Sequence, residues 1–419
     1  MSVAKLSLDE GLTALLRGDP QLTQDPYLFY RRLRDEAPVH RLGSLVFVSA
    51  HAEAKAAYLD TERFVNTPPE AVLSEEALSL LSDTEKQMYD ELLEFERGYM
   101  SRIDGATHAR VRSAVRPAFT ARHMAGLEGR ARQLTDELLD ELSRQECPDM
   151  IELAYQLPLL VVTSMLGAPP EDADLLKRWG NRMFAPRQRE GVSVQPEVIQ
   201  RAKRAMMEYR AYVHELIANR RSQPRNELGA ALRAAIESER LTQDELVATY
   251  LLILHAGHET TTNLIGNGLL ALLEHRDQWT LLCSNPSLAP GAVEEAFRYD
   301  APVQVALRTA AVDVTLNEID IGVGTPLCVL IGSANRDPKA FSNPDDLDIN
   351  RHPNAHLSLG RGVHFCLGAP LARLQGRIVF STLARRFPGT ELAMAPNELP
   401  RTTDVSMRAL MSLPVKLRA

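Results

Sequence analysis

The stretch SLGRGVHFCLGAPLARLQGR, residues 358–377, surrounds one cysteine, Cys366, with glycines and then opens a helix at Pro370. Glycine has no Cβ, so the backbone of such a loop can bend tightly around a large group. The N–H groups at a helix start stabilise an anion that lies just before the first turn, and Arg361 and His364 add positive charge nearby. These features predict that Cys366 is a thiolate.

Two other interpretations of Cys366 are open on the residues alone. Most isolated cysteines are buried packing residues, and a thiolate can also act as a catalytic nucleophile, whose histidine partner the sequence does not identify. The other cysteines, Cys147, Cys283 and Cys328, are scattered and form no C-x-x-C pair. In a chain of this length, that distribution indicates a reducing compartment and no disulfide framework.

The composition of the chain excludes several classes of protein. Apolar residues make up 45% and charged residues 24% of the 419 residues, which is typical of a globular protein. With 47 Lys and Arg against 55 Asp and Glu, the net charge of −8 argues against a nucleic-acid partner. The N-terminus has no secretory signal pattern, and no stretch reaches the about 18 uninterrupted apolar residues of a membrane span. We therefore expect a cytoplasmic protein without a membrane span.

Helical periodicity dominates the chain, and it predicts a mainly α fold with small β-sheets in a single large domain over residues 1–419. The first 20 residues are expected to be poorly ordered, and 66–100 to be a partly helical loop segment. Helices are predicted at 25–37, 50–59, 108–118, 124–146, 151–167, 171–185, 196–223, 226–239, 243–275 and 370–387. Strands are predicted in a hairpin at 39–42 and 45–49 around Gly43, in short runs between 302 and 335, and in the C-terminal tail.

The helix predicted at 243–275 is unusually long. Thr242 and Glu245 have the spacing of a capping box, in which each side chain satisfies an N–H group at the helix start. At about 1.5 Å per residue, the helix would be about 50 Å long. Its first half, LVATYLLIL, is apolar on nearly every face, so we expect it to be buried.

The same helix contains LHAGHETTTN, residues 254–263, which places His255, His258 and Glu259 near one face. Such a face could offer ligands to zinc. The zinc motif H-E-x-x-H, however, needs a second histidine where Thr262 stands. A polar stripe with hydrogen-bond partners inside a buried helix is the simpler alternative.

The loop GRGVHFCLGAPLAR, residues 360–373, resembles the haem-ligand loop of the cytochrome P450 family in its soluble bacterial form. That loop carries Phe-Gly-x-Gly-x-His/Arg-x-Cys-x-Gly, and this chain departs from it only at Leu359, where the family usually has phenylalanine. Three further stretches resemble family signatures in the family's order: THARVR, AGHET within the long helix, and VEEAFRYD. The resemblance runs from about residue 20 to the end and implies that haem b is buried between the long central helix and the cysteine loop.

The resemblance assigns the residues around the cofactor. Cys366 would ligate the haem iron, and its thiolate would push electron density onto the metal. His108 and Arg112, at i and i+4, would bind one haem propionate, Arg308 would meet the other, and His364 would join them from the loop. Glu295, Arg298 and Arg351 would form a buried structural network that holds the cysteine loop, and His356 is a further propionate candidate.

In the family, a segment like Ala256-Gly257-His258-Glu259-Thr260 binds oxygen. Ala256 and Gly257 would lie against the haem, with Gly257 giving clearance for the ring. Glu259 and Thr260 would deliver protons so that the O–O bond breaks. His255 is expected at a position that faces the substrate; it could have an ordinary polar partner, donate a hydrogen bond to the substrate, or occasionally ligate iron.

The resemblance implies a monooxygenase that inserts one atom of O2 into a small, mostly apolar molecule by hydroxylation or epoxidation. Electrons would come from a ferredoxin or flavodoxin with an NAD(P)H reductase, steered by a cationic cluster. That cluster would comprise Arg110, Arg116, Arg361, Arg373 and Arg377. The expected substrate pocket, suited to a lipid-like or polycyclic molecule, is lined by His255, Val303, Gln304, Val305, Ala306, Val405 and Met407. The alternatives are a haem-binding sensor and a peroxide-driven haem-thiolate oxidant.

Overall fold

Helices account for most of the described chain, which confirms the predicted mainly α class. The computed structural model describes residues 6–66, 79, 81–187, 195–219, 232, 234–238 and 240–419. The α-helices are α1 Leu8–Leu16, α2 Pro20–Gln24, α3 Tyr27–Glu36, α4 His51–Leu59, α5 Asp83–Arg97, α6 Gly105–Val115, α7 Ala121–Leu142, α8 Met150–Leu166, α9 Ala173–Phe184, α10 Pro196–Asn219, α11 Gln243–Glu274, α12 Arg276–Ser284, α13 Ala289–Tyr299, α14 Ile331–Ala334 and α15 Ala369–Arg386.

The strands form one five-stranded sheet, in the order β1-β2-β7-β4-β3, and two small two-stranded sheets, β5-β6 and β8-β9. Their bounds are β1 Val39–Leu42, β2 Leu45–Val48, β3 Phe64–Asn66, β4 Val305–Ala310, β5 Val314–Leu316, β6 Ile319–Ile321, β7 Pro326–Leu330, β8 Glu391–Leu392 and β9 Val415–Lys416. The predicted hairpin is confirmed: β1 and β2 pair antiparallel, and Gly43 between them has a φ of 58° that favours glycine.

The chain divides into two compact units. Unit 1 comprises Met1–Val65, Gly126–Pro158 and Glu259–Ala419, and unit 2 comprises Asn66–Ala125 and Leu159–His258. No observation tests the prediction of a single domain.

In unit 1, the five-stranded sheet is apolar on both faces. Val46 and Val48 of β2 pack into one apolar cluster with residues of α4, whereas Phe47 between them packs into another with residues of α1 and α3. Strand β7 alternates in the same way, with Val329 on the first side and Cys328 on the second. Because both faces are covered, LVFV and PLCVL read as continuous apolar runs.

In unit 2, the core is formed by packed helices. The first half of α11 is buried as predicted, with Leu246, Val247 and Leu251 at 0–1% exposure. The predicted capping box is also confirmed, since the Thr242 N–H donates to Glu245 Oε2 (2.9 Å) and the Glu245 N–H donates to Thr242 Oγ1 (3.2 Å). Glu245 in addition pairs with Arg110 of α6.

Three predictions about local structure need correction or fall on residues outside the described ranges. Residues 1–20 are not all poorly ordered, because α1 forms with Ser7 and Glu10 as its own capping box. The β-like run ending at 335 stops earlier, since Ile331–Ala334 is a helical turn. Of the helix predicted at 226–239, most residues lie outside the described ones.

Within the described part of the chain, no single helix is long and apolar enough to cross a membrane, although the bent pair Met150–Leu166 and Pro170–Phe184 passes the same length and composition test together.

Candidate active site

The loop around Cys366 is shaped by glycines, as predicted. Gly360 and Gly362 both have φ near 67°, which turns the backbone in a way that side-chain-bearing residues rarely adopt. The Cys366 N–H donates to the carbonyl of Leu359 at 2.8 Å. A Cβ added at Gly368 would lie 3.9 Å from the Cys366 Sγ, and α15 starts directly afterwards. The loop therefore holds a half-buried sulfur just before the N-terminus of an 18-residue helix.

A buried ion-pair network lies under this loop, also in unit 1. Glu295 and Arg298 on α13 are fully buried and make two hydrogen bonds, at 2.7 and 2.9 Å. Arg351 Nε donates to Glu295 Oε1 at 3.1 Å, and Asn354 Nδ2 donates to Oε2 at 3.0 Å. The predicted Glu-x-x-Arg and Arg351 network is thus present, and it ties α13 to the segment that leads into the cysteine loop.

A second set of hydrogen bonds continues from this segment towards the glycines. The Leu357 N–H donates to Asn335 Oδ1 at 2.7 Å, and Asn335 Nδ2 donates to Ser358 Oγ at 2.7 Å. Arg361 donates to the carbonyl of His356 at 3.0 Å. Since each bond joins residues just before Cys366 to buried groups, the position of the loop is determined by the core and not by solvent-exposed contacts.

His356 belongs to this structural layer. Its ring stacks on Phe297 with centroids 5.5 Å apart, and Nε2 lies 3.2 Å from Glu294. Burial raises the pKa of Glu294, but hydrogen bonds from Arg373 and His356 outweigh it and lower the pKa to about 2. These contacts give His356 a structural role, and its suggested propionate role stays a prediction.

The predicted propionate ligands of unit 1 are Arg308 and His364. Arg308 is buried on β4, donates to the carbonyl of Leu307 at 2.8 Å, and has its guanidinium carbon 5.1 Å from the centre of the Tyr58 ring. His364 ends the short 3₁₀ turn Gly362–His364 in the cysteine loop. Tyr58, which holds the Arg308 side chain by a cation–π contact, is a residue that the sequence reasoning missed.

The predicted propionate ligands of unit 2, His108 and Arg112, both lie on α6. They are one helical turn apart on the same face, as the spacing requires. His108 is buried at 3% exposure and Arg112 is half-buried.

The central helix α11 has one exposed position in its otherwise covered middle. Ala256 is exposed, whereas Leu254 and His258 on either side of it are buried, and Thr260, one turn later, is half-buried. Ala256 therefore lies at the surface, at the position expected to lie against the haem. Glu259 is half-buried, and among the described residues no group of three His, Cys, Asp or Glu side chains is arranged to hold a metal ion.

Gly257 also has a packing reason to be glycine. A Cβ at this position would lie 2.9 Å from Cγ2 of Val162 on α8. Close packing of two helices within unit 2 therefore favours glycine here, and the clearance expected for the haem ring stays a prediction. Its cost of about 1 kcal/mol relative to alanine inside a helix is offset by that packing.

His255 has a partner that no sequence pattern indicated. Its ring stacks on Phe184, the last residue of α9, with centroids 4.0 Å apart and planes 20° from parallel. Burial, with a smaller contribution from the charge of Lys177, lowers the pKa of His255 to about 3. The ring is neutral at physiological pH and packs as an aromatic group, whatever further bond it makes to a substrate.

This burial predicts a pH-dependent difference in stability between the wild type and a His255→Phe variant. Unfolded histidine takes up its proton near pH 6.5, but folded His255 does so only near pH 3, so the wild type loses stability as the pH falls through this window. At pH 5 the loss is about 2 kcal/mol, or about 2 °C in Tm for a chain of this size. Calorimetric Tm values of both proteins at pH 7 and pH 5 measure it; equal decreases would contradict the assignment.

The substrate-pocket residues predicted in unit 1 do lie together. Val303 and Met407 form an isolated antiparallel bridge, and the Gln304 N–H donates to the carbonyl of Ser406 at 2.8 Å. The neighbouring residues Val305, Ala306 and Val405 are partly buried and pack against the apolar clusters on the sheet.

Gln304 is the exception in this group. Its side chain is buried, its Nε2 donates to the carbonyl of Ala301 at 2.8 Å, and its Oε1 occupies the space where a Cβ of Gly332 would be. These contacts hold the Gln304 side chain within the protein, and its place in the substrate pocket stays a prediction.

Several arginines of the predicted electron-donor cluster are engaged within the protein. Arg110 pairs with Glu245 in unit 2, while in unit 1 Arg373 makes two hydrogen bonds to Glu294 and Arg377 pairs with Glu128. Arg361 donates to the His356 carbonyl. Arg116 is exposed. Paired charges attract an acidic partner less strongly than the sequence alone suggests.

A half-buried cysteine in a glycine loop of a mainly helical protein is the arrangement expected of a haem-thiolate enzyme, and comparisons with known proteins agree. The family described as Cytochrome P450 matches residues 191–279 and 287–417. The chain is 36% identical to the polyketide biosynthesis cytochrome P450 PksS of Bacillus subtilis, over 94% of this chain and 96% of that protein. It is 35% identical to vitamin D(3) 25-hydroxylase of Pseudonocardia autotrophica, over 94% of each.

A solved structure, P450BioI in complex with hexadec-9Z-enoic acid ligated acyl carrier protein, superposes with a TM-score of 0.83 at 33% identity, over 95% of this chain and 99% of that one. The chain belongs to the cytochrome P450 family. It is accordingly a monooxygenase with a cysteine-ligated haem.

Proposed function

We propose that Cys366 is the thiolate ligand of the haem iron. The observation that carries this proposal is the loop itself, in which positive-φ glycines, the hydrogen bond to Leu359 and the start of α15 present a half-buried sulfur. The exposed Ala256 in the middle of α11 supports a flat group on that face of the helix. When bound, the haem supplies the chemistry that activates O2 and inserts one oxygen atom into the substrate.

We propose that the two haem propionates are bound by cationic and hydrogen-bonding side chains. The proposed side chains are His108, Arg112, Arg308 and His364. The cation–π contact with Tyr58 fixes the Arg308 guanidinium, so less side-chain entropy is lost when it binds a carboxylate.

Glu259 and Thr260 are proposed as the proton-delivery pair. The Glu259 carboxyl would take a proton from solvent and pass it on, and the Thr260 hydroxyl would hold it beside the bound O2. Their adjacent positions on α11, both half-buried, support this role, because a relay needs contact with water on one side and shelter on the other.

Thr260→Ala is therefore expected to uncouple electron uptake from product formation. NAD(P)H consumption should persist, while product formed per NAD(P)H falls at least about tenfold, equivalent to about 1.4 kcal/mol, and hydrogen peroxide is released. Thr261→Val, an isosteric change at the next, buried position, is the matched control and should stay coupled. Wild-type coupling in Thr260→Ala would remove the hydroxyl from the relay.

We propose that electrons come from a ferredoxin or flavodoxin reduced by an NAD(P)H reductase. The exposed Arg116 and the remaining charge on the engaged arginines support docking of an acidic donor. A cytoplasmic location is proposed as well, which fits the thiol state of the four cysteines.

The proposed substrate is a lipid-like molecule with a long acyl or polyketide-type chain, either free or carried as a thioester on an acyl carrier protein. In unit 1, the apolar residues Val303, Ala306 and Met407 support an apolar ligand. In unit 2, the His255–Phe184 stack adds a neutral aromatic surface. Two relatives, one named for polyketide biosynthesis and one solved with a fatty acyl carrier protein, support this chain type.

The test is turnover with a surrogate ferredoxin, its reductase, NAD(P)H and a panel comprising hexadecanoic acid, a macrolactone and a steroid. Mass spectrometry should detect a product heavier by one oxygen atom, with 18O incorporated from 18O2. Turnover with hydrogen peroxide but not with the electron donors would identify a peroxide-driven oxidant. Absence of any product, combined with ligand-induced changes in the haem spectrum, would favour a sensor.

A further inference from the structure

Two helices of unit 2, α9 and α10, pack antiparallel against each other. Trp179 Nε1 donates to Glu208 at 2.7 Å, and its ring lies 5.6 Å from the ring of Tyr212. The Tyr212 hydroxyl donates to Asp172 at 2.7 Å. From Asp172, the residue just before α9, to Trp179 on α9, the hydrogen-bond partner on α10 moves back from Tyr212 to Glu208, so the end of α9 lies beside the first half of α10.

Each helix of this pair exposes two arginines. Arg178 and Arg182 are one turn apart on α9, and Arg201 and Arg204 are one turn apart on α10. All four side chains are exposed, and Met207, one turn after Arg204, is 60% exposed. We call these five residues the α9–α10 patch.

The charge of the patch is not neutralised by the part of unit 2 that the structure describes. None of its four guanidinium groups lies within ion-pair distance of a described carboxylate, whereas Lys203 and Arg210 on the same α10 pair with Glu91 and Asp244. The exposed acids nearest in sequence, Asp174, Glu197 and Glu208, flank the patch, and Glu208 is engaged by Trp179.

Four exposed arginines thus concentrate positive charge on two neighbouring helices of a chain whose net charge is −8. The cluster therefore fits an acidic protein partner, with Met207 as an adaptable apolar contact at its edge.

The inner side of α9 indicates what such a partner does. Phe184 at the end of α9 stacks on His255 of α11, next to the segment proposed to bind O2, and Lys177 is buried on the same helix. A partner on the patch thus contacts exposed residues of α9. The same helix, through Phe184, contacts His255, the residue proposed to face the substrate. The Cys366 loop, which an electron donor must reach, belongs to unit 1.

We propose that the α9–α10 patch is the docking surface for an acidic acyl carrier protein, which presents the substrate as a thioester on its phosphopantetheine arm. The proposal rests on the acyl-type substrate of the proposed function. Complementary charge sets the orientation and the association rate of such a complex, and the acyl chain supplies most of the specific contacts.

The experiment uses the haem-loaded enzyme with two probes, hexadecanoyl acyl carrier protein and hexadecanoic acid. The patch variant combines Arg178→Glu, Arg182→Glu, Arg201→Glu and Arg204→Glu. The control variant carries the same change in charge on four exposed cations of unit 1, through Arg17→Glu, Arg144→Glu, Lys339→Glu and Arg385→Glu. Dissociation constants come from the ligand-induced shift of the haem absorption band, and equal Tm values verify that both variants fold.

The patch variant should bind the carrier-bound chain about 30-fold more weakly than the wild type does. Its dissociation constant for the free acid should stay within about twofold of the wild-type value. Raising NaCl from about 50 to about 300 mM should weaken carrier binding by the wild type and have little effect on the variant. The control variant should match the wild type with both probes.

Three results would overturn the docking proposal. The patch variant could bind the carrier as tightly as the wild type does, or its binding of the free acid could weaken as much as its binding of the carrier. The third is a raised KM for the ferredoxin in turnover of the free acid, which would identify an electron-donor site. If the wild type binds the free acid but not the carrier form, the docking proposal fails and the substrate class stands. If it binds neither probe, the proposed substrate class fails and the docking proposal falls with it.

Discussion

Cys366→Ser is expected to abolish monooxygenase turnover, with a loss of at least about 100-fold, equivalent to about 2.7 kcal/mol in the activation barrier. The hydroxyl of serine has nearly the size of the thiol but does not ionise at physiological pH. The electron donation that a thiolate gives to haem iron, and that favours cleavage of the O–O bond, is then lost.

The measurement is the absorption spectrum of the ferrous carbon monoxide complex, recorded together with NAD(P)H-dependent product formation. In Cys366→Ser, the band characteristic of thiolate ligation should disappear even in the fraction that retains haem. Cys147→Ser is the matched control, because Cys147 is an exposed thiol in the same unit, and it should leave spectrum and turnover unchanged. A wild-type carbon monoxide spectrum in Cys366→Ser would show that another residue ligates the iron.

Local patterns in the sequence predicted the parts of the fold that depend on local physics. The hairpin around Gly43 and the long helix behind the Thr242–Glu245 capping box both form where the patterns place them. Each depends on residues within a few positions of one another, and so short-range rules are sufficient. The cysteine loop is of the same kind, since its shape follows from glycines close to Cys366.

Contacts between distant segments could not be predicted in this way. The stack of Phe184 on His255 and the contact of Gly257 with Val162 join helices that are far apart in sequence. No local sequence pattern indicates which of these helices pack together. The arginines show the same limit. The sequence suggested a cationic cluster that includes Arg373, but Arg373 pairs with Glu294, whereas Arg204 on α10 forms no ion pair with a described carboxylate.

The Glu-x-x-Arg pattern illustrates why burial decides the meaning of a motif. The chain contains it at Glu94 and Arg97 on α5 and again at Glu295 and Arg298 on α13, with identical spacing. In the first pair the side chains are 72% and 46% exposed, whereas in the second both are 0% exposed. Solvent screens the first pair, and the second is held in the core by further hydrogen bonds.

Glu295→Gln is therefore expected to be strongly destabilising. The substitution keeps the shape of the side chain but removes the negative charge that compensates two guanidinium groups, those of Arg298 and Arg351. Leaving buried charges without their partner costs about 3–5 kcal/mol, which corresponds to a decrease in Tm of about 3–6 °C for a chain of this length. Because Asn354 also donates to Glu295 shortly before the cysteine loop, haem retention should fall as well.

Glu94→Gln is the matched control. It replaces the glutamate of the other Glu-x-x-Arg pair, which is exposed at the surface. An exposed pair contributes about 0–1 kcal/mol, so this variant should shift Tm by no more than about 1 °C. Calorimetry and the ratio of haem absorbance to protein absorbance, measured on both variants side by side, separate the two cases. If Glu295→Gln lowers Tm and haem content no more than Glu94→Gln does, the buried network does not stabilise the cysteine loop, and the hydrogen bonds of Asn335 to Leu357 and Ser358 must be sufficient to hold it.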